Sequence, residues 1–524
     1  MNKTPFIITK NSVICAFICA SMLLSLGIQA QSQIPCGTIH DSETFLQMKN
    51  RAWQNRLIMD ENRDLADLRD DDIVYIPVKY HLYAKDDGVG LPKFTDILNM
   101  HCVLNEEYAE HEIQFYINDG FNIVYDDNFY ENPGNYTNHQ YQVRSDNSVN
   151  IFIGKSADVG NSIGTTLGYY SPQDDWIVLR KSVATATGNT LPHEMGHFLS
   201  LNHPFLGWDC TFYEEWLDEN PNAECAPTTA PCFPIPVERQ NGSNCSTAGD
   251  FLCDTPPDYN LGFQASGCSY NGTACDPQGN PVEPMPNNIM GYFSGCADFV
   301  FTPDQVEMML TDYNSSARNY LRADDGPSND QATGQITNLI APGQAEVLDH
   351  SNVTVEWEAI ANSEMYVVQY ALNANFSLFA TQLITENTAV TLNNLLENQP
   401  YFWRVAAYNE YETCLEWSEA ANFVAGSGVS AVQTIDAATR FVVQPNPVKK
   451  GSGLTVSLTA SSSFVADLQI ISATGKTVET QRELNIRIGE NTLRTASENL
   501  PAGLYFAVLR SENGVINRKF VVSE

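Results

Sequence analysis

Residues 190–203, TLPHEMGHFLSLNH, constrain this chain more than any other stretch. His193 and His197 are four residues apart, a spacing that stacks two side chains on one face of an α-helix. Two imidazoles so placed can bind one divalent ion at ~2.0–2.1 Å per nitrogen. Glu194 follows about 100° further round the helix, given its ~3.6-residue period, and there it reaches a water on the ion without ligating it. Pro192 suits a first helical turn, and Thr190 is the expected N-cap. His203 lies six residues past His197 and off that face, so the helix must stop and the chain must turn to return it to the ion. Ser200 stands at that bend, where a left-handed backbone costs a side chain other than glycine ~1–2 kcal/mol.

Together these residues follow the HExxH pattern extended to a third histidine, HExxHxxGxxH, with Ser200 in place of the glycine. A second element is Asn288-Ile289-Met290-Gly291-Tyr292, which resembles the Met-turn that places a methionine beneath the metal in metzincins. Taken alone, Met290 would read as an ordinary buried methionine. Further motifs are Cys253-Asp254-Thr255-Pro256-Pro257-Asp258, Gly267-Cys268, Cys296 and Phe301-Thr302-Pro303-Asp304-Gln305. In this order, from about residue 73 to 320, they resemble the pappalysin family of metzincins. The resemblance implies a secreted zinc metalloendopeptidase with Zn2+ on His193, His197 and His203 and with Glu194 as general base. It also implies that Tyr292 lies near the metal, able to bind the ion or steady an oxyanion, with Met290 as a structural floor. Relatives of this kind bind Ca2+, for which Asp250, Asp254 and Asp258 are the candidates. They also carry a prosegment cysteine on the fourth metal position, which here would be Cys36.

The chain has 28 basic and 63 acidic residues, a formal net charge of −35, which argues against nucleic acid and anionic membrane surfaces as partners. Residues 1–30 have the pattern of a signal peptide: Lys3 and Lys10, an apolar run over 13–26, and Ala30 at the expected cut. That run is shorter than the ~20 residues a membrane span needs, and no later segment qualifies. Export implies an oxidising compartment. Eight cysteines crowd between Cys210 and Cys296, in a stretch poor in periodic apolar residues, and are expected to form disulfides of open connectivity. A structural zinc site is the alternative, but that stretch holds no CxxC pair. With Cys15 and Cys19 in the signal segment, eleven cysteines remain, so at least one thiol is left over. Cys102 is expected to be a buried apolar thiol. Cys36 is either the latency switch or half of a disulfide, with Cys102 or elsewhere.

Five regions follow. After the signal peptide, residues 31–71 are an expected prosegment, helical over 45–68 and released by a cut before Asp72, after Arg63 or Arg69. Residues 72–323 form the zincin-like unit, with strands over 73–83, 113–117, 149–153, 166–170 and 176–179 and a helix over 94–110. The strand at 166–170 is the expected edge to which an extended substrate adds. Thr302, Pro303 and Gln305 open a closing helix as a capping box, and 324–333 is a polar linker. Residues 335–426 resemble a fibronectin type III domain, with Leu395 and Tyr401 spaced as in a tyrosine corner; they are expected to be a spacer or a weak binding surface. Residues 430–524 resemble the C-terminal sorting domain of the Bacteroidota type IX secretion system. The expected fold class is therefore α+β, a metzincin-like zincin followed by two all-β sandwiches. The expected partners are protein or peptide substrates and the secretion machinery. The alternative function is a secreted adhesin with a catalytically decayed zincin domain.

Overall fold

The computed structural model describes residues 33–38, 41–62, 73–158, 165–185, 188–263, 265, 267–323, 326–327, 337–426, 435, 437–473, 476–495, 500–511 and 514–523. The expected signal peptide, the cut sites at Arg63 and Arg69, and most of the expected linker lie outside these.

In chain order the first unit contains β1 (Gln33–Cys36), α1 (Ser42–Asn62), β2 (Val74–Ala84), α2 (Phe94–Tyr108), β3 (Ile113–Tyr125), α3 (Asp127–Glu131), α4 (Thr137–Val143), β4 (Val149–Gly154), β5 (Thr165–Ser171), β6 (Trp176–Arg180), α5 (Thr190–Phe198), α6 (Tyr213–Glu219) and α7 (Pro303–Asn314). Six strands form one sheet in the order β1-β5-β6-β4-β2-β3. All neighbours are parallel except β5 with β6. The inner strands β2 and β4 are buried over most of their length, as parallel strands covered on both faces must be. Ile97, Leu98, Met100 and Leu104 of α2 and Leu191, Met195 and Phe198 of α5 join the sheet's core.

One expectation changes here. The strand at β5 is not a free edge. Residues 33–36 pair with it, Ile34 opposite Thr166 and Cys36 opposite Gly168. An unpaired strand edge accepts any extended segment that reaches it, and the chain's own N-terminal segment does. The following helix α1 packs into the same core: Phe45, Met48, Ala52 and Met59 are at most 2% exposed. Phe45 stacks on Phe233 with ring centroids 4.2 Å apart, and Trp53 meets Phe251 edge-on.

Cys102 is not a free buried thiol. It lies on a half-buried face of α2 and is bonded to Cys414 of the next unit. The eight cysteines between 210 and 296 pair among themselves, as 210–232, 225–275, 245–253 and 268–296. Among the described residues Cys36 alone is a free thiol.

The second unit is a two-sheet β-sandwich. One sheet has the order Thr381–Thr385, Met365–Ala371, Gln399–Tyr408, Ala421–Gly426, Glu346–Asp349; the other, Ala389–Leu392, Val353–Trp357, Leu339–Ala341. Trp357, Trp403 and Phe423 fill it. The Tyr401 hydroxyl accepts a 2.9 Å hydrogen bond from the Leu396 amide, closing the expected tyrosine corner. This unit is more than a spacer. Besides the Cys102–Cys414 bond, the Ile117 amide donates to Glu410 O and Gln382 donates to Thr95, while Val367 and Tyr408 enter the first unit's core. The third unit packs Ala438–Gln444, Leu454–Ala460 and Gly489–Thr495 against a five-stranded sheet. Phe441, Leu458, Leu468, Ile470 and Phe520 lie between them. No described helix is long and apolar enough to cross a membrane.

Candidate metal centre

α5 begins one residue earlier than the sequence suggests, so Thr190 is its first helical residue. Asn189 holds the cap position, without a side-chain bond. The helix ends as a Schellman motif: the Ser200 amide donates to His197 O and the Leu201 amide to Gly196 O. Ser200 takes the left-handed conformation that the bend requires, with φ +71°, and its hydroxyl accepts a 2.8 Å bond from Asn55.

This bend brings the three histidines together. His203 Nε2 lies 3.2 Å from His193 Nε2 and 3.1 Å from His197 Nε2. A tetrahedral ion bound at ~2.0–2.1 Å would hold such nitrogens roughly 3.3 Å apart. Each opposite ring nitrogen has an acceptor. His193 Nδ1 donates to Ile289 O (2.8 Å), His197 Nδ1 to Leu201 O (2.7 Å) and His203 Nδ1 to Asp209 Oδ1 (2.7 Å). Those bonds fix the tautomer that leaves every Nε2 lone pair facing the shared centre. Burial pushes His193 down to about 4, and burial with mutual repulsion puts His197 and His203 well below the usual range, so all three are neutral donors at pH 7. Asp209 was not legible as a site residue; it is buried, and burial raises its carboxyl to about 7.

Met290 is fully buried beneath the helix. A Cβ on Gly196 would stand 2.5 Å from the Met290 sulfur, so only glycine permits this approach. The turn is closed by the Gly291 amide on Asn288 O, and the Asn288 side chain is gripped by Gln305. Gln305 is also the expected capping-box residue of α7, with Thr302 as N-cap. Tyr292 packs its ring 5.0 Å from that of His203 and donates to Cys36 O at 3.3 Å.

The N-terminal segment fills the remaining side of the centre. Cys36 and the three histidines are buried, with donor atoms all within 4.8 Å of one another. Cys36 Sγ lies 3.5 Å from Glu194 Oε2, and the Thr38 hydroxyl donates to that same oxygen at 2.9 Å. Glu194 Oε1 is buried with no protein partner among the described residues. Burial pushes Glu194 up to about 8, despite the Thr38 and Cys36 bonds that pull it down. Behind the helix, Arg51 of α1 bonds Asp312, Tyr170 and Phe198 O. A cleft of about 690 Å³ opens beside His193, lined also by Leu167, Tyr292 and Phe299.

The three aspartates expected to hold calcium do not converge. Asp254 takes bonds from Thr302 and the Asp304 amide, Asp258 from the Leu261 amide, and Asp250 from Leu252 and Thr255. Asp250 instead neighbours Glu238, which the sequence reading missed. Glu238 Oε2 and Asp250 Oδ2 are buried without protein partners among the described residues, and burial with the Asp250 charge holds Glu238 well above the usual carboxylate range.

No curated protein matches this chain. Among solved structures, chicken CNTN1 FN1-FN3 domains are similar at 14% identity and TM-score 0.21, covering 36% of this chain and 67% of that one. A computationally redesigned β-sandwich protein is similar at 21% identity and TM-score 0.14, covering 17% and 86%. Residues 442–523 match the secretion system C-terminal sorting domain family, so the third unit is a type IX sorting domain and the chain is exported, to the cell surface or beyond it.

Proposed function

We propose that this chain is an exported zinc metalloendopeptidase of the pappalysin type, held latent by residues 33–62. The supporting observation is the buried convergence of three imidazole nitrogens and one thiol on a single point, with a carboxylate beside it. Three neutral imidazoles with a sulfur donor beside them suit zinc. When bound, such an ion supplies Lewis acidity toward a carbonyl and lowers the pKa of a coordinated water to ~7. Glu194 accepts a proton from the attacking water and passes it to the leaving amine. Tyr292, once freed from Cys36 O, donates a hydrogen bond to the developing oxyanion. The substrate backbone takes the place of residues 36–38 against β5, where the Gly168 carbonyl now accepts from the Gly37 amide.

The test is peptide hydrolysis by the purified chain before and after removal of the N-terminal segment. The processed chain is expected to cleave an unstructured polypeptide, to lose that activity to a chelator and to regain it with one equivalent of zinc. A processed chain that holds no zinc and cleaves nothing would favour the binding-protein alternative.

Calcium enters the same proposal through Glu238 and Asp250, whose unpartnered buried oxygens suit a hard cation. Millimolar calcium is expected to raise the melting temperature by several degrees, as binding of a cation to the folded state alone requires. Glu238→Gln with Asp250→Asn should abolish that rise. An equal calcium effect in the double variant would remove the assignment.

A further inference from the structure

We propose that Thr38 is a second latch on this centre, acting on Glu194 and on the substrate edge rather than on the metal; this rests on the metallopeptidase reading above. Thr38 is fully buried, and its hydroxyl is used twice. It donates to Glu194 Oε2 at 2.9 Å and accepts from the Tyr170 amide at 2.8 Å. The first bond engages the lone pairs that a general base needs. The second takes a β5 amide that an incoming substrate carbonyl would otherwise use. The Thr38 amide in turn donates to Cys36 Sγ at 3.3 Å, so the two latches are joined by backbone and break in sequence or together. Gly37 between them gives its amide to Gly168 O. Cys36 thus covers the metal position while Thr38 covers the base and the edge strand, and loss of the thiol alone leaves the second contact intact.

Valine matches threonine in shape and lacks the hydroxyl, so Thr38→Val removes both bonds with little change in packing. Full-length uncut chains carrying Cys36→Ala, Thr38→Val, both changes, or Thr38→Ser are compared by amide hydrogen exchange over residues 33–38 and 165–171 and by hydrolysis of a fluorogenic peptide. Thr38→Val is expected to speed exchange in both segments by about tenfold to a hundredfold, the scale of leaving buried hydrogen-bond partners unsatisfied. Thr38→Ser should keep wild-type protection, and that rescue separates the hydroxyl from simple packing. The double variant should hydrolyse the peptide at least about tenfold faster than Cys36→Ala, on the same scale. Wild-type exchange in Thr38→Val, or measurable hydrolysis that is equal in the double variant and Cys36→Ala, would overturn the latch. If Thr38→Val fails to fold, loss of protection in a folded Thr38→Ala chain serves the same purpose. Faster exchange without hydrolysis in any variant or in the processed chain would leave the latch standing and sink the peptidase reading.

Discussion

Glu194→Ala is expected to lower peptide hydrolysis by the processed chain by about 10²–10⁴-fold, the usual contribution of a positioned proton-transfer group. The variant should nonetheless fold and hold zinc. Glu194 is adjacent to the histidine cluster and is not one of its four converging donors. Among the described residues its Oε1 has no hydrogen-bond partner, so deleting the side chain removes a buried polar atom left unsatisfied there. The sign of the pH effect follows. In the metal-free uncut chain the folded-state pKa of about 8 lies above the ordinary glutamate value of ~4.3. The group's stabilising contribution is therefore complete below ~4.3 and is lost as pH rises to about 8. Glu194→Ala should flatten that part of the stability–pH curve, as measured by denaturant unfolding of chelated protein. Hydrolysis at the normal rate by the alanine variant would mean that another group takes the proton.

His203→Ala is expected to abolish tight zinc binding, and Asp209→Asn to weaken it about 10–100-fold, the usual cost of losing a partner behind a metal-binding histidine. The two effects share one cause. His203 reaches the centre only because Ser200 bends the chain, and its ring is turned by the 2.7 Å bond from Nδ1 to Asp209. Asparagine keeps an acceptor oxygen and loses the negative charge that makes Nε2 a better donor. Competition against a chromophoric chelator measures both variants. Wild-type affinity in His203→Ala would show that the ion does not use the third histidine.

The local grammar of the site was legible. The four-residue spacing placed His193 and His197 on one helical face, and the need for a bend before His203 pointed to Ser200, which is left-handed in the structure. The capping box at Thr302 and Gln305 could be read from residue types alone, though its further grip on Asn288 could not. Contacts made through long loops were hidden. Asp209 follows His203 by six residues in an irregular stretch, where no period links side chain to side chain. Thr38 meets Glu194 across 156 positions, and Cys102 meets Cys414 across 312, distances at which a single sequence carries no pairing signal. β5 is legible as a strand in the sequence, but strand propensity does not reveal that β1 covers its edge. The proposed calcium site shows the same limit: Asp250 lies three residues before the Cys253–Asp258 motif, whereas Glu238 has no motif to mark it.

The most direct test is X-ray absorption at the zinc edge on the zinc-replete, uncut, full-length chain. Three nitrogen donors at ~2.0–2.1 Å and one sulfur at ~2.3 Å are expected, with the sulfur replaced by a light atom in Cys36→Ala. A chain that takes up no zinc, or a spectrum that needs fewer than three histidine nitrogens, would contradict the account.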